Sequence, residues 1–418
     1  MNKALCIGLL FFFAPIPFLQ AQQPPGKLMA GAAEASINPT AGTYMAGYGY
    51  NRKSTGIHDD VFVKAVAVSN NNEAIVFVVI DCIGLPYPLV QTIRDKVEKN
   101  IPSSRLDPTH IIISSTHTHA GADVIGVWGA DQQSSGIDDS YISLLVNTAQ
   151  AVITKAWKNR QTVIARYADT DFGEGWVKNV SDSMEIDRKV EVIQFLSTGN
   201  KSVATLTNFA CHPTVLGADN TLVSADFPSG FYKQMKAKKG GVNLFLQGAI
   251  GGWVQPENIP RTFEEAEQRG KGLADVVLAA LKNAKTIAGT TIDFRSKVFE
   301  IPVHNEGFSK LSAAGILKRD IGDGTLTEIA WFSIGNAFFA THPGETSPLF
   351  SFNTKQLMKN DGPKFIIGLG MDELGYIIKP AFFIPGSTLH ATPYLISMSP
   401  GKEAGEKMME VLTFLSNQ

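Results

Sequence analysis

The stretch His110-Ile111-Ile112-Ile113-Ser114-Ser115-Thr116-His117-Thr118-His119-Ala120-Gly121 decides the fold, because two imidazoles directly follow an apolar run that predicts a buried strand. Residues i and i+2 of an extended segment point to the same side, so His117 and His119 are expected to face one cleft. A third histidine has the same setting in Cys211-His212-Pro213-Thr214, straight after the apolar run 203–209. This repetition predicts that polar side chains gather where strands end.

Strand-like and helix-like segments alternate along the chain without a change of composition that would mark a linker. Apolar runs predict strands at 61–68, 74–80, 110–115, 162–167, 190–196, 203–209, 243–246, 291–299, 329–334, 337–340 and 365–368. Helical patterns are found at 86–99, 141–157, 228–235, 263–281, 348–358 and 402–415. Near-continuous apolar strands are typical of sheets covered on both faces. The sequence therefore predicts an α/β fold, with mixed β-sheets packed together and flanked by helices in a single large domain.

The first 21 residues have the pattern of a secretory signal peptide. One early cation, Lys3, precedes an apolar core, and Ala21 precedes a polar stretch. The core contains Pro15 and Pro17 and is shorter than the roughly 20 residues that a membrane span needs. We therefore predict a signal peptide at 1–21, a mature domain at 22–418, and a secreted or periplasmic protein without a transmembrane anchor.

Charge and cysteine content limit the partners and the means of stabilisation. A net charge of −2 without a basic stripe argues against nucleic acid as a partner. Cys6 would be lost with the signal peptide, and the remaining Cys82 and Cys211 form no disulfide framework, although the sequence leaves open whether they pair. The 25 phenylalanines predict a large dry interior. Part of that surface could line a lipid pocket, and contact with a membrane surface stays open; no oligomeric state is predicted.

Four predicted strand ends carry polar clusters, at 116–121, 211–214, 341–345 and 372–376. Zinc accepts imidazole nitrogens and carboxylate oxygens, and catalytic zinc sites combine about three protein ligands with an open position. One cleft formed by these ends would hold such an ion. The spacing alone leaves metal binding and a structural role open, because single histidines are commonly satisfied inside a core.

Several motifs together resemble the neutral/alkaline non-lysosomal ceramidase family. Besides Thr116-His117-Thr118-His119-Ala120-Gly121, they are Gly47-Tyr48-Gly49, Gly56-Ile57-His58-Asp59-Asp60, Ser224-Ala225-Asp226, Leu246-Gln247-Gly248-Ala249 and Pro343-Gly344-Glu345. The resemblance runs in order over most of the chain. It implies a secreted or membrane-facing zinc amidase of the kind that cleaves the N-acyl bond of ceramide. It covers the catalytic domain, and the immunoglobulin-like domain that follows in larger members is expected to be absent here.

The resemblance also implies a set of zinc ligands. Carried over position by position, these are His117, His212, Glu345 and Tyr376. Ligation by tyrosine requires the cation to favour the phenolate, because a free phenol has a pKa near 10. His119 is then either a further ligand or, as we favour, a neighbour that hydrogen-bonds the reacting oxygen or a ligand.

Each of these residues also has a structural alternative. His212 could cap a strand end, Glu345 could lie at the N-terminus of the helix predicted from residue 348, and Tyr376 could only pack its ring. Asp226 is expected to cap the helix at 228–235, with a contact to a ligand as the alternative. Structural roles are expected for the remaining histidines, which are His58, His110, His304, His342 and His390.

Two segments depart from the family pattern. The family loop Gly-Asp-Val-Ser-Pro contains the proposed serine nucleophile, but here the loop reads Gly251-Gly252-Trp253-Val254-Gln255-Pro256, with Gly252 at the aspartate position in the closest register. The family's substrate-facing Asn-Arg pair has its nearest equivalent in Lys178-Asn179, and lysine does not make the planar bidentate contacts of arginine. These changes favour a related amide hydrolase over a true ceramidase.

Without the serine, we expect zinc-activated water to attack the N-acyl amide bond of a lipid-like or related substrate. His119, or a carboxylate such as Glu373 or Asp372, would move the proton to the leaving nitrogen. Gln255 or the amides of Gly251-Gly252 would donate to the developing oxyanion.

Two alternatives to this function remain. One is a zinc hydrolase that acts on an ester or a sugar-linked N-acyl group. The other is a non-catalytic binding protein of the same fold. A site that had lost its chemistry should have lost ligands too, so the four ligand candidates favour an enzyme.

Overall fold

Two β-sheets lie face to face between layers of helices in the computed structural model, which describes residues 26–257, 259–359, 361–387, 389 and 393–418. In chain order the strands are β1 Met29–Ser36, β2 Gly56–Ile57, β3 Phe62–Ser69, β4 Ala74–Ile80, β5 Ile111–Ser115, β6 Gln161–Asp171, β7 Val177–Asn179, β8 Lys189–Ser197, β9 Ser202–Phe209, β10 Leu222–Val223, β11 Val242–Gln247, β12 Val254–Pro256, β13 Lys285–Thr286, β14 Ile292–Pro302, β15 Gly324–Ile334, β16 Ala337–Thr341, β17 Glu345–Thr346, β18 Lys364–Ile367 and β19 Tyr376–Ile377. The α-helices are α1 Tyr87–Glu98, α2 Asp139–Lys158, α3 Phe227–Lys239, α4 Phe263–Ala280, α5 Glu306–Ala313, α6 Pro348–Leu357, α7 Pro393–Ser397 and α8 Ala404–Ser416. The predicted signal peptide and His390 lie outside the described residues.

The two sheets are mixed. The larger has the order β11-β9-β8-β6-β1-β3-β4-β5, with β13 paired to β6, and the smaller has the order β14-β15-β16-β18. The pairs β9–β11, β4–β5 and β16–β18 are parallel, whereas the other pairs of these two sheets are antiparallel. Three short pairs, β2–β10, β7–β12 and β17–β19, join loops instead. The predicted α/β class with mixed, packed sheets is confirmed.

The core between the sheets is largely aromatic and dry. Phe77 of the larger sheet lies 5.6 Å from Phe332 and 5.3 Å from Phe339 of the smaller sheet, measured between ring centroids. The Phe332 and Phe339 rings stack at 4.9 Å. All three side chains are fully buried, and burial of such large apolar surfaces is the dominant stabilising contribution.

Helices cover the outer faces of both sheets. Val63 of β3 points away from the smaller sheet and packs in one cluster with Leu145 of α2. On the opposite side, Trp331 of β15 packs with Leu412 of α8. Both faces of the central strands are therefore buried, which explains why the sequence shows them as continuous apolar runs.

Besides several shorter elements, the apolar pattern missed two elements of eight residues each, β1 and α5. The structure also answers the question of the cysteines. Strand β1 reads Met-Ala-Gly-Ala-Ala-Glu-Ala-Ser, and its small side chains carry little of the β-branched signal that marks strands. Helix α5 was also missed, because it is short and has no buried residue. Cys82 and Cys211 are both buried free thiols, so they do not pair.

A buried carboxyl on β8 predicts a pH-dependent stability. Glu191 is 6% exposed, and burial raises its pKa to about 7 despite the opposing effect of Lys355. Between the ordinary carboxyl pKa and about 7, the folded chain keeps a proton that the unfolded chain releases, so this group makes stability fall as pH rises through that window. We expect Glu191→Gln to gain roughly 1–3 kcal/mol relative to wild type at about pH 8 and almost nothing at about pH 4. Denaturant unfolding at both pH values measures this, with the exposed Asp171→Asn as control; a gain independent of pH would contradict it.

Candidate active site

The polar strand ends of both sheets meet at one edge of the sandwich. The amide of Met371 donates to the carbonyl of Ile113 at 2.7 Å, and the amide of Gly368 donates to the carbonyl of Gln247 at 2.9 Å. These bonds join the segment after β18 to β5 and β11. The loops that follow β5, β9, β11, β16 and β18 therefore share one edge, as the sequence pattern predicts.

Gln247, at the end of β11, ties two of these loops together. Its Nε2 donates to the carbonyls of Thr116 and Cys211 at 3.0 and 2.9 Å. Its Oε1 accepts from the amides of Cys211 and Gly248, both at 3.1 Å. This fully buried amide thereby fixes the residues immediately before His117 and His212 relative to each other.

Removing this amide should loosen the candidate metal centre. We expect Gln247→Leu to weaken metal binding at this centre by roughly 10- to 100-fold, the size of effect typical of groups that orient metal ligands. Competition with a chromophoric chelator measures the affinity, and thermal unfolding checks that the variant is folded. Gln234→Leu, on α3, is the control. Unchanged affinity in a folded Gln247→Leu protein would contradict this role.

His117 and His212 turn the same ring nitrogen toward Glu345. The Nδ1 atom of His117 lies 2.5 Å from the carbonyl oxygen of Ile83, and that of His212 lies 2.9 Å from the carbonyl oxygen of Val254. A carbonyl oxygen only accepts hydrogen bonds, so each Nδ1 carries the proton. The Nε2 atoms then point at Glu345 Oε2, at distances of 3.4 and 2.8 Å.

This arrangement requires positive charge at the cluster. In neutral imidazoles with protonated Nδ1, both Nε2 atoms and the Glu345 carboxylate are acceptors, and acceptors so close repel unless a proton or a cation lies among them. The Nε2 of His117 is buried and has no hydrogen-bond partner among the described residues. Imidazole nitrogens and carboxylate oxygens are also ligand atoms that zinc prefers, and this cluster offers two of the former and one of the latter. The residues therefore fit a metal cation.

Tyr376 completes the cluster through strand pairing. In the parallel pair β17–β19, Glu345 and Tyr376 are opposite partners. The Nε1 of Trp253 donates to the Tyr376 hydroxyl at 2.8 Å. Burial, followed by the charge of Glu345, raises the pKa of Tyr376 well above its ordinary value, so the phenol is neutral unless a cation favours its ionisation. The sequence analysis gave Trp253 no role at the site. The available signal was a large side chain with an N–H donor directly after two glycines in the divergent loop.

His119 stands beside the cluster with both ring nitrogens buried and unpaired in the described part of the chain. Its ligating atoms lie within 4.8 Å of those of His117 and His212, and these three histidines form a group that could hold a metal ion. Gly47, at φ +97°, makes room for the ring, since a Cβ there would lie 2.4 Å from the imidazole. Burial, and then the two other histidines, keep the pKa of His119 well below its ordinary value, so the ring is neutral.

Two cavities open from this cluster and meet at His119, Tyr376 and Tyr394. The first encloses about 810 Å³ including the space at its mouth, and its wall is mainly apolar, with Ile125, Val127, Trp128, Phe308, Leu317 and Met398. The second is more polar and includes Tyr48, Thr214, Trp253, Gln255 and Arg261. The site therefore offers an apolar arm and a polar arm on either side of the histidines.

The predicted oxyanion donors and Lys178 lie in different settings. Gln255 lines the polar cavity and is opposite Lys178 in the antiparallel pair β7–β12. Lys178 does not contribute to either cavity wall among the described residues. Gly252 is buried at φ +83°, and its carbonyl accepts from the Ser181 amide. The amide of Gly251 already donates to the Thr346 carbonyl at 2.8 Å, so it is not free to stabilise an oxyanion, and that expectation is corrected.

The two carboxylates considered for proton transfer also differ. Asp372 accepts two hydrogen bonds from Arg319, at 2.9 and 3.0 Å, within a buried ion pair. It is therefore a structural anchor, and the expectation that it moves a proton is wrong. Glu373 lines the apolar cavity beside His117 and Glu345.

The remaining candidates have the structural settings expected of them. Asp226 caps α3, accepting from the Phe227 amide at 2.7 Å, and it also accepts from the Leu216 amide at 2.8 Å in the loop after His212. His342 lies between the hydroxyls of Thr346 and Thr354. The ring of His58 stacks on Phe263.

Fold and site together define a ceramidase-like hydrolase. Residues 29–233 match the family model described as neutral/alkaline non-lysosomal ceramidase, N-terminal, so the resemblance to this family seen in the sequence is confirmed. His117, His119 and His212 lie within the matched segment, whereas Glu345 and Tyr376 lie beyond it.

Solved structures share the fold over nearly the whole chain. A neutral ceramidase from Pseudomonas aeruginosa superposes with a TM-score of 0.77 at 15% identity, covering 94% of this chain and 75% of that one. A ceramidase complexed with C2 superposes with a TM-score of 0.78 at 15% identity, covering 94% and 76%. At this identity the likeness establishes the fold alone.

Proposed function

We propose that this protein is a zinc-dependent hydrolase of N-acyl amide bonds in lipid-like substrates. One observation carries the proposal. The Nε2 atoms of His117 and His212 converge on the carboxylate of Glu345, an arrangement that calls for a cation, at the place where an apolar cavity begins. Tyr376, opposite Glu345, would be the fourth ligand. A zinc ion held there would supply Lewis-acid polarisation of the scissile carbonyl and a nucleophile derived from water at neutral pH.

His119 is the residue we assign to proton transfer. It lines both cavities, so it stands where the acyl and amine parts of a substrate would join. Its neutral ring accepts a proton from the attacking water and delivers it to the leaving nitrogen, a role that contributes about 10²–10⁴-fold in rate. Gln255, in the wall of the polar cavity, is a side-chain amide that could donate to the developing oxyanion.

The two cavities support an amphiphilic substrate. The apolar cavity would bury the acyl chain, because its wall offers few polar partners. The polar cavity, with Arg261 and Thr214, would receive the amine part. Lys178 lines neither cavity, so the proposal that it lies near the substrate rests only on its position opposite Gln255 in the pair β7–β12.

A panel of paired substrates tests this function. Fatty-acid release is measured with a short-chain ceramide, a simple N-acyl amide, a sugar-linked N-acyl compound and the matching esters. We expect the protein to hydrolyse at least one of the amides faster than the uncatalysed reaction. This activity should be lost when a chelator removes the metal and should return when zinc is added. Hydrolysis confined to esters would contradict the amide assignment, and binding without turnover of any bond would favour a non-catalytic protein.

We also propose that the mature chain begins after Ala21 and works outside the cytoplasm. The composition of residues 1–21 supports this. Within the described ranges, no helix is long and apolar enough to cross the bilayer. Tyr394 and Ile396 are exposed at 43% and 38%, and Tyr394 lines both cavities, so contact with a membrane surface would bring lipid to the cavity mouths. Amino-terminal sequencing of the exported protein identifies the cleavage point.

A further inference from the structure

Besides the ring nitrogens of His117 and His119, one polar atom in the described wall of the apolar cavity has no partner. Glu373 lines this cavity and is only 8% exposed. Its Oε1 accepts from the Gly375 amide at 2.7 Å, but its Oε2 is buried and unpaired within the described part of the chain. A buried polar oxygen without a hydrogen bond is costly, so native proteins retain one mainly where something else supplies the partner.

The other polar groups of the same wall are already occupied or exposed. Arg319 is held by Asp372, and the Thr325 hydroxyl donates to the carbonyl of Asp320 at 2.7 Å. Lys318 is exposed. Apart from the candidate metal ligands and His119, Glu373 is therefore the buried group in the described wall that has hydrogen-bonding capacity to spare.

The backbone is shaped to hold this side chain. A Cβ at residue 84 would lie 2.5 Å from Cγ and 2.7 Å from Cβ of Glu373, so only glycine leaves room for the stem of this glutamate. With its stem against Gly84 and Oε1 bonded to Gly375, the carboxyl is fixed from two sides. Such fixation is expected of a group that recognises a ligand.

A hydroxyl group is the ligand that suits this position. A hydroxyl both donates and accepts, so it pairs with a carboxyl in either protonation state, and it brings no charge into an apolar cavity. Glu373 lines the cavity together with His117, Glu345 and Tyr376. The hydroxyl must therefore lie near the end of the acyl chain that carries the scissile carbonyl.

We propose that Glu373 forms a subsite for a hydroxyl group on the acyl chain, so that the preferred substrates are α- or β-hydroxyacyl amides. This inference rests on the proposed function and names the acyl class of the same site. Glu373 is a specificity-determining residue here, distinct from His119, to which proton transfer is assigned.

Product binding tests the subsite without relying on turnover. Isothermal titration calorimetry of the zinc-loaded full chain is carried out with a straight-chain fatty acid and with its α- and β-hydroxy derivatives. We expect one hydroxy acid to bind roughly 10- to 100-fold more tightly than the unsubstituted acid. Glu373→Gln, which keeps hydrogen-bonding capacity, should retain most of this preference, and Glu373→Leu should abolish it. Phe308→Leu, which alters the apolar wall alone, should weaken all three acids alike.

The possible outcomes separate the subsite from the function. Equal binding of the three acids to wild type, or a preference that survives in Glu373→Leu, would overturn the subsite while leaving the lipid hydrolase intact. Failure of every acid to bind would overturn both, because the apolar cavity would then not be an acyl site.

Discussion

Replacing His212 by alanine is expected to abolish both stoichiometric zinc binding and hydrolysis. His212 Nε2 lies 2.8 Å from Glu345 Oε2, and its Nδ1 is fixed by the Val254 carbonyl, so the substitution removes an oriented ligand from the proposed set. Loss of even an outer partner of a ligand costs about 10- to 100-fold, and loss of a ligand should exceed that. Zinc content after gel filtration and the rate of fatty-acid release provide the two measurements.

His119→Asn is the matched comparison for His212→Ala. Because we place His119 outside the ligand set, this variant should keep close to one zinc ion per chain while losing about 10²–10⁴-fold in turnover. Loss of zinc from His119→Asn, with zinc retained by Tyr376→Phe, would show that the three histidines form the ligand set instead. Retention of zinc and activity by His212→Ala would remove the basis of the site.

Among the variants described, Arg94→Met is expected to lose the most folding stability. Arg94 forms an ion pair with Glu328 at 2.5 Å, and the two side chains are 2% and 1% exposed. It also donates to the carbonyls of Thr109 and Ile111, so it joins α1 to β5 and β15. Removing one partner of a buried pair costs about 3–5 kcal/mol, because the other charge stays buried without compensation. Denaturant unfolding measures this loss.

The double variant Arg94→Met/Glu328→Leu distinguishes the buried charge from lost packing. It removes both charges and should recover a substantial part of the stability lost in the single variant. If the double variant were as unstable as Arg94→Met, the cost would come from packing and from the unpaired carbonyls. A single variant within about 1 kcal/mol of wild type would contradict the importance of the pair.

The sequence predicted the fold class and the convergence of the histidines, because both depend on local pattern. The apolar run before His117 marks a strand, and the motif order identifies the family. The same information missed β1, whose alanines and glycine show neither strand nor helix periodicity. A strand of small residues is recognisable only through its partners β3 and β6.

The roles of single polar groups depended on contacts distant in sequence. Asp372 looked available for proton transfer until Arg319, from another segment, was seen to hold both of its oxygens. The Gly251 amide looked free until the structure showed it bonded to Thr346. Glu373 looked equivalent to Asp372, but its environment leaves one oxygen unpaired in the cavity. Such differences between adjacent residues follow from tertiary packing, which a single sequence does not record.

The most direct test of the account is a zinc titration of the metal-free protein during hydrolysis of a short-chain N-acyl amide. The proposed centre predicts no release without metal, and a rate that rises in proportion to added zinc and stops rising at one zinc ion per chain. A full rate in the metal-free protein, or no amide hydrolysis at any zinc concentration, would contradict a zinc-dependent amide hydrolase.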